Sequence, residues 1–244
     1  MSDLNHIIYS SASYVITIIL FLLFNVIKSQ NKKDNILKIS AVLTVIIHYS
    51  SLYVDYFTTG IAVIESSMLL PIFPCNVAMW LLVVVAFKKN KNDKLFRLLA
   101  EMTFYLGTFG ASIGLIFNEN YIMNPDLTNY TILKGLMSHS TLVFGSMYLA
   151  VGGYMKIRLR NVIIVIIVNV GLLVHGGLVI LLYKVCDIAP PNVMFLIELP
   201  YPSYPWINTF TVTCAVLVLS LLFTITCEQI FVPKEERWYV RLKK

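Results

Sequence analysis

Four side chains able to move a proton or attack a carbonyl lie within apolar stretches of this chain: His48, Cys75, His139 and His175. A thiol beside an imidazole can give its proton to the ring and act as a nucleophile in the thiolate form. Around the cysteine the sequence reads Met68-Leu-Leu-Pro-Ile-Phe-Pro-Cys75. Pro74 suits either a kink or the first position of a helix, where its missing N–H costs nothing. With regular helix starting at Pro74, Cys75 falls in the first turn, where unpaired N–H groups and the positive end of the macrodipole favour the thiolate. An apolar setting favours the thiol instead, so a histidine base or ion-pair partner is required. Asn76 and the free N–H groups beside Cys75 are candidate oxyanion donors. His48 with Asp55, or His175, are candidates for orienting the reacting groups, and each also reads as a structural or pocket-lining polar residue. The plain reading of the same segment is a proline-kinked packing helix with the cysteine as a small hydrophobe. Three dispersed histidines without a carboxylate cluster give no zinc site, and neither metal nor cofactor is expected.

The composition dictates what must hold these side chains. Of 244 residues, 58% are hydrophobic and 13% charged, against about 25% charged in a soluble domain. With a mean hydropathy of +0.77, lipid is the expected solvent. The net charge of +6 would suit nucleic acid if gathered on one face, but the basic residues sit in short clusters between apolar runs, so no such partner is expected. Seven runs reach the roughly 20 residues needed to cross a hydrocarbon core: 12–27, 36–57, 68–87, 95–117, 131–154, 162–183 and 206–230. All of the 19 lysines and arginines except Lys134 and Lys184 fall on one side of this pattern, which places the N-terminus outside and the C-terminus in the cytoplasm. No basic stretch precedes the first run, so it reads as a retained helix rather than a signal peptide. The expected architecture is all-α: one transmembrane domain over 1–244 with seven transmembrane helices, in the plasma membrane. The other cysteines, Cys186, Cys214 and Cys227, are dispersed and imply no disulfide framework.

Seven spans also place the chemistry. Ser40, Thr44, His48, Ser51 and Asp55 share one face of the second span, and Glu101, Tyr105, Thr108 and Ser112 one face of the fourth. Close packing explains such stripes too, with Gly107, Gly110 and Gly114 letting helices approach. A histidine and an aspartate make the stripe on the second span the stronger functional candidate. Helical rise puts His48, Cys75, His139 and His175 at a common depth, roughly 10–14 Å beneath the outer surface. One layer suggests one site, although depth does not say which helices are neighbours.

Leu70-Pro71-Ile72-Phe73-Pro74-Cys75 in the third span, Leu136-Met137-Ser138-His139-Ser140 in the fifth, and Asn192-Val-Met-Phe-Leu196 followed by Pro205-Trp206 carry a family likeness. With the order and spacing of the spans over most of the chain, they resemble the YwaF-like integral membrane proteins of bacteria, related to the eukaryotic ether-phospholipid acyltransferase called transmembrane protein 164. The resemblance implies an acyl-transfer site in which Cys75 forms a thioester and His139 assists as base. It departs where relatives carry a string like Leu-Pro-Leu-His-Leu-Cys: Phe73 stands for the histidine and Pro74 for the following leucine, so any role of that histidine is absent here. The fourth span runs into Ile116-Phe-Asn-Glu-Asn120 rather than a Thr-Pro-Asp turn. The expected function is a membrane-embedded acyltransferase acting on phospholipid or lipidated acceptors in the outer half of the bilayer, with membrane lipids as partners. A lipid ester hydrolase would use the same thioester and differ in admitting water. A transporter or channel would instead continue the polar stripes into a pathway past Glu101 and Tyr105, and a receptor-like or structural membrane protein would use them for packing alone.

Overall fold

Proline, asparagine and glycine set the helix boundaries in the computed structural model, which describes residues 4–61, 64, 68, 70–117, 128–199, 202 and 204–241. Parts of the expected outer connections, including 118–120 beyond the fourth span, and the last basic residues 242–244 lie outside the described residues. The chain divides into two compact units, Met1–Tyr154 and Met155–Lys244.

In the first unit, α1 is Leu4–Asn25 and α2 is Gln30–Thr59. Gly60 ends α2 in the left-handed conformation (φ 75°), its N–H donating to the Tyr56 carbonyl at 2.9 Å, the usual route by which glycine closes a helix. Helix α3 is Pro74–Phe87, entered from an extended Phe73. Helix α4, Lys94–Tyr105, starts at Asp93, whose carboxylate accepts the Phe96 N–H at 2.6 Å and pairs with Lys88 at 2.9 Å. A π-helical turn, Leu106–Gly110, carries the chain into α5, Ala111–Ile116. Helix α6, Tyr130–Val151, is capped by the Asn129 side chain on the Thr131 N–H and ends at Gly152-Gly153.

Helix α6 packs against every other described helix of its unit. The helices around it are polar toward the protein and apolar outward. Helix α1 buries His6, Ser10 and Thr17 while Ile7, Ile8, Val15, Ile18 and Leu22 are exposed, the pattern expected where the surroundings are as apolar as the side chains. Polar contacts knit α6 to its neighbours: Ser13 to Ser140 (3.0 Å), Thr44 to Thr141 (3.1 Å), Tyr130 to Ser50 (2.6 Å) and the buried Lys134 to Ser51 (3.2 Å). At its far end Tyr154 donates to Asp34, which also pairs with Lys91 at 3.2 Å.

The second unit comprises α7, Val162–Val185, and α8, Thr209–Phe231, with the short α9, Trp238–Arg241. The fully buried Glu228 of α8 accepts the Leu159 N–H at 2.6 Å, placing a carboxylate at the start of the turn that leads into α7. Between the helices, Val193–Phe195 forms a turn with Met194 and Phe195 at positive φ, and the Thr209 hydroxyl reaches both of their carbonyls.

Among the described residues, five helical stretches are long and apolar enough to cross a membrane: Leu4–Asn25, Gln30–Thr59, Lys94–Ile116, Leu159–Val185 and Thr209–Phe231. This is the pattern of a multi-pass membrane protein. The other two of the seven expected spans differ for physical reasons. The third is broken before Pro74, leaving a helix of 14 residues from there, because Pro71 and Pro74 each lack the N–H a preceding turn would need. The fifth, α6, has the length but carries Lys134, Ser138, His139, Ser140, Thr141 and Ser146, which lower its hydropathy.

Candidate functional site

Three helices of the first unit each contribute an i, i+4 pair to one cavity: Thr44 and His48 from α2, Cys75 and Met79 from α3, Ser138 and Leu142 from α6. Asn76 and His139, each next in sequence to one of these, complete the lining. The cavity holds about 40 Å³.

Cys75 is placed by the local chain. Phe73 is extended (φ −124°, ψ 158°), Pro74 is the first helical residue, and the Asn76 and Val77 N–H groups close on the Phe73 carbonyl at 3.0 and 3.2 Å. The cysteine therefore sits in the first turn of α3. The Asn76 side chain, 5% exposed, reaches back so that its Oδ1 accepts the Phe73 N–H at 3.1 Å. That contact fixes the amide's orientation and leaves its NH2 group as the remaining donor end.

His139 projects from α6 with Nδ1 2.7 Å from the Gly135 carbonyl. A carbonyl only accepts, so Nδ1 carries the proton and Nε2 holds the lone pair, the tautomer a general base needs. The Nε2 edge of the ring lies against Gly114 on α5: a Cβ there would overlap Nε2 and come within 2.6 Å of Cδ2. The neighbouring Ser138 hydroxyl donates to Gly135 O at 3.0 Å. On the α2 side, Thr44 Oγ1 lies 2.8 Å from the Ser40 carbonyl, and the His48 ring stands edge-on to Tyr49 with centroids 5.2 Å apart. Tyr49 is tied in turn to the Met68 carbonyl at 2.9 Å.

The structure thus brings His48, Cys75, Asn76 and His139 together around one cavity, whose lining does not include Asp55 of the same unit. Asp55 follows His48 by seven residues, about 10 Å along the helix axis, and its carbonyl caps the Thr58 and Thr59 hydroxyls. His175 lies on α7 in the second unit, half-buried. Among the described residues no group of three His, Cys, Asp or Glu side chains is arranged to hold a metal ion. In the sequence Thr44 belongs to a polar stripe and Ser138 to a motif, whereas Met79 and Leu142 carry no mark beyond standing four residues after Cys75 and Ser138. Gly114 marks close packing in the sequence without showing which side chain fills the space above it.

A thiol at a helix start, an imidazole lining the same cavity and a buried amide form a set able to carry out covalent acyl chemistry. Comparison with known protein families matches residues 1–227 to the TMEM164 family. No curated protein and no solved structure gives a significant match.

Proposed function

Because this chain belongs to the TMEM164 family, we propose that it is a membrane-embedded lipid acyltransferase working through a thioester on Cys75. The observation that carries the reading is the shared cavity: Cys75 of α3 and His139 of α6 face one space of about 40 Å³ although 64 positions separate them in sequence.

His139 Nε2 takes the thiol proton, and Cys75 Sγ attacks the carbonyl carbon of a phospholipid ester. The Asn76 amide and the Cys75 N–H stabilise the resulting oxyanion. Collapse breaks the ester C–O bond, and the departing alkoxide takes the proton from the imidazolium, leaving a lysolipid alcohol and an acyl-Cys75 thioester. In the second half, a hydroxyl of a lipid or lipidated acceptor gives its proton to His139, its oxygen attacks the thioester carbonyl, and the thiolate leaves and is reprotonated. Water in place of the acceptor hydroxyl would turn the same steps into ester hydrolysis.

The reading includes seven spans in the plasma membrane, with the N-terminus outside and the reaction in the outer half of the bilayer. The basic clusters at Lys28–Lys38, Lys88–Arg97, Lys156–Arg160 and Lys234–Lys244 support it. In this arrangement the polar α6 and the short α3 cross as inner elements, with α1, α2 and α4 around α6.

Intact-protein mass spectrometry of the membrane-purified chain, with and without hydroxylamine, tests the proposal. A hydroxylamine-labile acyl mass on Cys75 that is absent from Cys75→Ala and does not accumulate in His139→Ala is the expected result. No adduct in the presence of phospholipid, with cellular lipid profiles unchanged in both variants, overturns it.

A further inference from the structure

We propose that Gly110 and Gly114 are positioning residues for the Cys75–His139 pair, one helix face setting the distance between the nucleophile's turn and the base's ring; the proposal rests on the acyl-transfer reading of this cavity. The two glycines are four residues apart, at the end of the π turn and in α5, so they share a face about 6 Å long. At Gly114 the His139 ring occupies the place of a side chain. A Cβ would overlap Nε2 and lie 2.6 Å from Cδ2 and 3.2 Å from Cε1. The opposite edge of the ring is fixed by Nδ1 on Gly135 O at 2.7 Å, so the imidazole is held at both ends. At Gly110 a Cβ would lie 3.2 Å from Pro74 Cβ and 3.9 Å from the Cys75 nitrogen. The same face therefore supports the turn that carries the thiol. Displacing a reacting group by about 1 Å costs on the order of 100-fold in rate, and a methyl at 114 forces a shift of that order.

Glycines also permit close packing without any part in chemistry, and this chain supplies the comparison. A Cβ at Gly145 would sit 2.7 Å from Leu82 Cδ2 and 2.8 Å from Ser40 Oγ, as crowded as Gly114 but against side chains that do not line the cavity. Among the described residues, nothing lies within 4 Å of the place a Cβ would take at Gly171 and Gly177 of α7.

The experiment measures the rate and substrate dependence of Cys75 acylation in the full-length protein, together with thermal stability. Gly114→Ala is expected to slow acylation by about tenfold or more with KM nearly unchanged, and Gly110→Ala to slow it by a smaller factor. Gly145→Ala lowers the melting temperature but acylates at the wild-type rate per folded molecule, and Gly171→Ala and Gly177→Ala acylate like wild type with a melting temperature equal to or above it. A double-mutant cycle reads the contact even where Gly114→Ala folds poorly: once His139→Ala has emptied the space, adding Gly114→Ala has no further effect on melting temperature. Wild-type acylation in Gly114→Ala, or an equal loss of stability from Gly114→Ala with and without the His139 ring, overturns the proposal. A wild-type protein that never carries the acyl mass removes the acyl-transfer reading itself, and the positioning role falls with it.

Discussion

Replacing Asn76 separates two roles that one side chain performs. Its Oδ1 accepts the Phe73 N–H at 3.1 Å, and its NH2 end belongs to the lining of the Cys75 cavity. Asn76→Ala removes both. The first loss is a helix-end contact of about 1 kcal/mol, with up to about 3 kcal/mol if the Phe73 N–H finds no other acceptor. The second is an oxyanion donor, whose removal lowers kcat by about 10²–10³-fold, equivalent to about 2.7–4 kcal/mol of transition-state stabilisation. Asn76→Asp has the same shape, keeps an oxygen for Phe73 and removes the NH2. Thioester formation should therefore fall by about two orders of magnitude, and the melting temperature should also drop by the cost of placing a carboxyl in a buried site. The added charge opposes both thiolate and oxyanion, so it can only deepen that fall. Quenched intact-mass time courses give the rate, and fluorescence-detected melting in detergent gives the stability. Acylation of Asn76→Asp at the wild-type rate refutes the oxyanion role. Asn76→Ala losing only stability, with its rate per folded molecule intact, refutes it as well.

Asp55→Asn should acylate like wild type, because Asp55 stands about 10 Å along α2 from His48; a rate loss in the same mass assay would bring it back as an orienting group. Glu228→Leu leaves the Leu159 N–H without its 2.6 Å acceptor and should cost about 1–3 kcal/mol, whereas Glu228→Gln keeps an acceptor oxygen and should lose less; melting curves of the two decide it. In the third connection, the Lys88 hydrogen bond, helped by the Phe96 N–H, holds the Asp93 carboxyl below its ordinary value. A lowered folded-state pKa stabilises above the unfolded value of about 3.9 and is lost as pH falls from there through the folded value. Melting temperature should therefore show a small, salt-sensitive drop below about pH 4 that Asp93→Asn lacks; identical pH profiles would show that the pair contributes nothing.

Helices whose ends are marked by local chemistry could be read directly from the residues. Pro74 at the first position of α3, Asn129 before α6 and Gly152-Gly153 after it act through φ, N–H and side-chain oxygen, all within a few residues. The α2 stripe was also readable, because Ser40, Thr44 and Ser51 are polar where lipid forbids it, and all three are buried. Its partner was not readable: that Thr44 meets Thr141 and Ser51 meets Lys134 depends on how α2 and α6 cross. Depth placed four reactive residues in one layer, but angular position decides which share a cavity, and His175 belongs to the second unit. Gly114 shows the same limit at one residue. A glycine reveals that space is needed, and only the neighbouring helix reveals that an imidazole fills it.

The cavity beside Cys75 is small, about 40 Å³. Under the proposed chemistry, a fatty tail then stays among its neighbours in the leaflet while its ester end reacts. Supply becomes two-dimensional: turnover follows the mole fraction of donor lipid around the protein rather than its amount per volume, and dilution into detergent micelles slows the reaction even when total lipid is unchanged. Preference among tails would then reflect what the surrounding leaflet contains, so moving the same protein into vesicles of different acyl composition should change its products without any change in sequence.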